Sequence, residues 1–325
     1  MAPHRAGVTR PGLSPCPPGV ASARPPAATG RLWEIDCSRT LAISMMISYH
    51  VVYDVDLVAP GLGPDPLTGA WGALPEATGS LFLLLVGVSL AVADGRGRAG
   101  GGSTVARARR HARRAIRGLG AALLVTVATL AVFPERYVRF GILHAIGVSA
   151  LLAIPLLRLR RWNVALGVAV VVAGIAVGGE GSGFPGGLIL GFPAPSFSSV
   201  DYWPLLPWFG VVLIGVGAGH ALYPLGSRSR VLRRLSLPEY GRPRGIVARL
   251  GAPGRHSLPV YLAHQPILVV LVAAALGVAG VSSSPLPKWP GLAVLAIVTV
   301  VVGVALLRAR GPLAFREAGS GGGRA

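Results

Sequence analysis

The chain has 325 residues, of which 52% are hydrophobic and 13% charged, and its formal net charge is +19. Soluble domains carry about 25% charged residues, so the composition excludes an ordinary soluble enzyme and indicates an integral membrane protein, as does the mean hydropathy of +0.61. The positive charge does not read as a nucleic-acid surface, because the basic residues sit in short segments between apolar runs, where membrane topology places them.

Residues 1–30 hold seven prolines, several arginines and no apolar core. A secretory leader needs an apolar stretch, so this segment reads as a disordered cytoplasmic tail. Residues 31–310 form one membrane domain, and the Gly-rich residues 311–325 form a second disordered tail. Cys16 and Cys37 stand alone and give neither a metal pattern nor a disulfide framework.

Eight apolar stretches are long enough to cross a bilayer: 41–58, 78–93, 116–133, 141–157, 162–177, 205–223, 258–279 and 292–307. In lipid each must satisfy its own backbone hydrogen bonds, so each is a helix. The expected fold is therefore all-α, a polytopic helical bundle. Forty-six glycines suit close helix–helix approach. No repeat at fixed spacing is visible, which weakens an inverted-repeat transporter.

Charge orients the spans. With the N-terminus inside, the basic residues fall on cytoplasmic segments, and the outer ones keep only Arg136, Arg139 and Lys288. This follows the positive-inside rule and puts both termini in the cytoplasm, with the plasma membrane as the expected location. The two longer outer loops carry Asp65, Trp71 and Glu76, then Glu180, Asp201, Tyr202 and Trp203. Aromatics belong at the headgroup level, but these loops could also line an entrance for a polar ligand.

Ionisable residues inside a membrane are expensive and mark functional sites by default. In the first span, His50 and Asp54 are one helical turn apart and face the same way. A carboxylate so placed can fix an imidazole's tautomer and raise its basicity, as a general base requires. The bland alternative is a buried pair that only ties helices together. His144, after Arg139, opens the fourth span and could bind an anionic or carbonyl oxygen; equally, it could be an interfacial charge at a turn. In the seventh span Ser257, Tyr261 and His264 share a face, and Pro266 weakens the helix beside them. Of the arginines in 228–255, Arg228, Arg230, Arg233, Arg234 and Arg255 would suit a phosphorylated ligand, although topology alone accounts for them. Gly215, Gly217 and Gly219 have the wrong surroundings for a dinucleotide site and permit helix packing instead.

Several phrases in order resemble a known family. They are Arg31-Leu32-Trp33-Glu34-Ile35-Asp36 with Arg39, Met46 to His50 with Tyr53-Asp54, and Phe82 to Leu90. Further on come Phe140-Gly141-Ile142-Leu143-His144-Ala145-Ile146-Gly147, Leu206-Pro207-Trp208-Phe209-Gly210, and Gly254-Arg255-His256-Ser257-Leu258 through His264-Gln265-Pro266. The set, from Arg31 to Pro266, resembles bacterial and archaeal membrane proteins with the catalytic domain of heparan-α-glucosaminide N-acetyltransferase. The resemblance implies a membrane acyltransferase that takes acetyl from cytosolic acetyl-CoA and delivers it to an amino sugar or other envelope glycan. It also implies a catalytic histidine, carried over to His50. Arg39 is followed by Thr40 where the family's usual motif has Gly.

The expectation is an acyltransferase in which His50, oriented by Asp54, acts with His144 or His264, and the arginines hold acetyl-CoA. Two rivals stand beside it: a proton-coupled small-solute carrier using the histidines as a relay, and a non-catalytic membrane scaffold. The lipid bilayer is the expected partner, and a homodimer is left open.

Overall fold

A computed structural model describes residues 32–177, 184–235 and 245–281. The expected eighth span, both tails, and Glu180, Arg242, Arg244 and Lys288 lie outside the described residues. Among the described residues the regular elements are helices: α1 (Trp33–Val58), α2 (Gly69–Ala99), α3 (Thr104–Val132), α4 (Ile142–Leu156) and α5 (Asn163–Val177). Short α6 (Gly187–Leu190) precedes α7 (Leu205–Leu222). Three more short helices, α8 (Arg230–Leu235), α9 (Ile246–Leu250) and α10 (Ala252–Arg255), lead into α11 (Ser257–Val278). The chain is an all-α polytopic membrane bundle.

Six continuous stretches have the length and apolarity to cross a membrane. One of them, Ile142–Val177, is a hairpin rather than a single rod. A 3-10 turn over Leu157–Trp162 contains Arg160 at φ 50° and ψ −122°, and the chain reverses there. Before the turn, α4 runs parallel to α7, because Ala145 packs with Leu205 and Ala153 with Leu213. After it, α5 runs antiparallel to α7, so that Gly167 meets Gly210 and Gly174 meets Pro207. The described chain therefore makes seven passes, which correspond to the first seven expected spans.

The centre of the bundle is the α2–α7 crossing. A Cβ on Gly87 would stand 2.1 Å from the Val212 carbonyl oxygen, and one on Gly215 would stand 2.2 Å from that of Leu84. Only glycine lets two backbones approach so closely.

Apart from Arg136 and Arg139, the described arginines gather at one end of the bundle. Ion pairs lock that end. Glu34 on α1 receives Arg228 through both carboxylate oxygens, at 2.8 and 2.7 Å, and the Tyr223 hydroxyl at 3.2 Å. Asp94, buried on α2, takes Arg98 at 2.7 Å and Arg107 of α3 at 2.9 Å. Thr40 also has a clear role here: its hydroxyl accepts the Gly254 N–H at 3.0 Å, joining α1 to α10. At the opposite end, backbone bonds from Val200 N–H to Arg136 O (2.8 Å) and from Trp203 N–H to Phe140 O (2.9 Å) fasten the α6–α7 segment to the chain entering α4.

Candidate active site

Two cavities lie in series between the ends. The first, of about 400 Å³, opens at the arginine-rich end, with Arg39, Ser89, His111, Arg114 and Arg255 around apolar walls such as Phe82 and Ile146. A shallower vestibule of about 530 Å³ shares Arg39, Ser89 and Arg114 with it and adds Arg96. The second cavity, of about 170 Å³, lies nearer the opposite end and is lined by Tyr49, His50, Tyr53, Asp201 and His264. Tyr261 lines both cavities. Polar groups are few in each, as in most small-molecule sites.

Helix geometry places these groups. Arg39 and His50 are eleven residues apart on α1, about 16 Å along its axis. On α11, Ser257 at the arginine end and His264 are separated by about 10 Å. Tyr261 and His264 are one turn apart and share a face, with ring centroids 5.5 Å apart.

His50 and His264 come together across α1 and α11, with ring centroids 4.9 Å apart. A carbonyl can only accept, so the 2.5 Å contact between His264 Nδ1 and the Tyr261 carbonyl means that Nδ1 carries the proton. Nε2 is then the basic nitrogen, and among the described residues it has no hydrogen-bond partner, like His50 Nδ1. A backbone carbonyl therefore does for His264 what Asp54 was expected to do for His50.

Asp54 does not meet His50. It is fully buried, and its Oδ1 accepts the Gln265 amide of α11 at 2.6 Å. The shared face that sequence spacing predicts is real, but the carboxylate turns toward the neighbouring helix. His144 stands outside both cavities. Its Nδ1 accepts the Gly141 N–H at 3.3 Å within the first turn of α4, and its Nε2 lies 3.4 Å from the Thr126 hydroxyl.

The arginines also divide. Arg255 lines the first cavity and donates to the Ala248 carbonyl at 3.1 Å. Arg228 is buried against Glu34, and Arg230, Arg233 and Arg234 are exposed on α8, away from the cavities. Sequence reasoning missed Arg39, Ser89, His111 and Arg114 as cavity residues. No local pattern unites them, because they come from α1, α2 and α3. Asp201, in one of the loops that the sequence offers as an entrance for a polar ligand, lines the second cavity.

Asp201 is fixed at the helix entry. Its Oδ2 accepts the Ile142 N–H at 3.0 Å, capping the first turn of α4. A Cβ on Gly141 would stand 2.0 Å from that oxygen, so only glycine admits the carboxylate. Burial pushes the Asp201 carboxyl up to about 6, against the opposing pull of its bonds from Ile142 and the Trp203 side chain.

The model of the family described as heparan-alpha-glucosaminide N-acetyltransferase, catalytic, matches residues 31–266. The chain belongs to that family. Comparison with curated proteins and with solved structures gives no match. Membership of the heparan-alpha-glucosaminide N-acetyltransferase family and the apolar helices together make this an integral multi-pass membrane protein, and they support membrane acetyltransferase activity in general terms. The matched residues include every lining residue of the first cavity and all but Val269 of the second.

Proposed function

We propose that the protein moves an acetyl group from acetyl-CoA, bound at the arginine-rich cytoplasmic end, to an amino sugar or related envelope glycan that enters the second cavity from outside the plasma membrane. The observation that carries this reading is the meeting of the two cavities at Tyr261, with arginines on one side and the histidine pair on the other. The first cavity fits the donor. Arg39, Arg114 and Arg255 suit its phosphates, and the apolar walls suit a pantetheine arm reaching from the arginine level toward Tyr261.

The bound donor supplies an activated thioester carbonyl. The residues then do the rest. His50 takes a proton from the attacking group, and His264, its tautomer fixed by the Tyr261 carbonyl, shares that proton. The Tyr261 hydroxyl donates to the carbonyl oxygen as negative charge develops on it. Asp54 and Gln265 hold α1 and α11 in register, and Arg228 holds α1 to the segment between α7 and α8. His144 positions the entry to α4, and the arginines of α8 face the cytoplasm and the lipid headgroups.

The test is acetyl transfer from labelled acetyl-CoA to glucosamine by the purified protein in detergent. Wild type transfers label, whereas His50→Ala and His264→Ala retain the fold and lose transfer. Uptake of a small solute driven by a pH gradient, with no use of acetyl-CoA, would overturn the proposal in favour of a carrier.

A further inference from the structure

Asp201 is more than a helix cap. Its segment is clamped by the Val200 and Trp203 backbone bonds and by the Ser199 hydroxyl, which lies 3.0 Å from the Tyr137 carbonyl and 2.9 Å from that of Asp201. The clamp delivers one carboxylate into a cavity whose other walls include Leu124, Val125, Phe133 and Val138. Capping requires only an acceptor, and serine, threonine or asparagine supplies one without charge. A carboxylate offers about four acceptor positions. The Ile142 N–H and the Trp203 side chain occupy two, which leaves acceptor capacity on a residue that lines the cavity. The same carboxylate lines the second cavity together with Tyr261, the residue shared by the two cavities. A fixed negative group in the cavity that His50 and His264 also line, with no Lys or Arg among its lining residues, recognises a cation.

We infer that Asp201 is the acceptor-binding residue of the second cavity: its carboxylate receives the ammonium group of an amine acceptor and takes the first of its protons. This rests on the transferase reading above. The balance is simple. One ammonium proton passes to Asp201, leaving a neutral amine. The carbon–nitrogen bond forms as the carbon–sulfur bond breaks, a second amine proton passes to His50, and the departing sulfur takes that proton to leave as thiol. A carboxyl held near 6 is ionised at neutral pH, yet is a better proton acceptor than an ordinary carboxylate.

The experiment compares wild type, Asp201→Asn and Asp201→Glu, with glucosamine as the amine acceptor, glucose as its hydroxyl counterpart and acetyl-CoA as donor. Asparagine keeps the cap on Ile142 and removes only the charge. The expected result for Asp201→Asn is a loss of about tenfold or more in kcat/KM for glucosamine, the scale of one charge-assisted hydrogen bond. Its acetyl-CoA affinity stays at the wild-type value and its melting temperature does not fall, and Asp201→Glu recovers part of the loss. On wild type alone, glucosamine is preferred to glucose by at least the same factor, which keeps the test decisive if the variants fail to fold. Equal kcat/KM for glucosamine in wild type and Asp201→Asn, or equal use of glucose and glucosamine by wild type, overturns the assignment while acetyl-CoA turnover persists. Wild type that neither binds nor turns over acetyl-CoA overturns the transferase reading itself, and the assignment with it.

Discussion

His50 and His264 face each other across α1 and α11 with ring centroids 4.9 Å apart, while Asp54, one turn beyond His50, is bound to Gln265 instead. The histidine pair and the carboxylate are therefore separable by mutation. Asp54→Asn keeps an oxygen for the Gln265 amide and is expected to retain most of the acetyl-transfer activity. His50→Ala is expected to lose about 10²- to 10⁴-fold, the usual contribution of a general base. Initial rates for the two purified variants check this, and equal losses in both would return Asp54 to the chemistry.

The arginines separate in the same way. Arg228 is buried on Glu34, so Arg228→Gln leaves a charge with its partner removed and is expected to cost about 2–3 kcal/mol of stability. Arg114 is exposed at the cavity mouth, and Arg114→Ala is expected to change stability by no more than about 0.5 kcal/mol while weakening acetyl-CoA binding. Thermal unfolding in detergent beside a binding titration distinguishes the two.

Close packing at the α2–α7 crossing makes Gly215→Ala a stability variant. Its new methyl meets the Leu84 backbone, and overpacking of this kind costs about 1–3 kcal/mol. Gly120→Ala on α3 meets nothing within 4 Å and is expected to be neutral or slightly stabilising through helix propensity. Melting temperatures of the two variants check the contrast.

Asp201 sets a pH dependence. Its folded-state carboxyl is raised to about 6 from the ordinary carboxylate value of about 3.8. The stability it contributes is therefore fully present below about pH 4 and is lost as pH rises through about 6. Asp201→Asn, which cannot ionise, is expected to unfold at a higher temperature than wild type above pH 6, with the difference vanishing below pH 4. Melting curves across that range show the sign directly.

Much of this architecture is legible from hydropathy, and its omissions have a physical cause. The expected span 141–157 appears as Ile142–Leu156, and 205–223 as Leu205–Leu222. By contrast, 116–133 begins at Thr104 and 41–58 at Trp33, because hydropathy senses the lipid core and not the polar turns by which these helices leave it. Within the site, His50 and His264 are readable, since an imidazole at mid-membrane is rare in any sequence. The partners of each polar group are not. Asp54 pairs with Gln265 across 211 positions, and Arg228 with Glu34 across 194, separations that carry no local periodicity. Asp201 was visible as an acid in a loop segment without Lys or Arg, but its reach into the cavity depends on Gly141, sixty positions earlier.

The most direct test of the account is acetyl-CoA binding to the purified, detergent-solubilised protein by calorimetry, with wild type, Arg114→Ala and His50→Ala side by side. Wild type is expected to bind saturably, with binding weakened about tenfold in Arg114→Ala by loss of one phosphate-facing charge. His50→Ala is expected to bind undiminished and to fail to transfer the acetyl group. The absence of binding by folded wild type, or full transfer by His50→Ala, would contradict it.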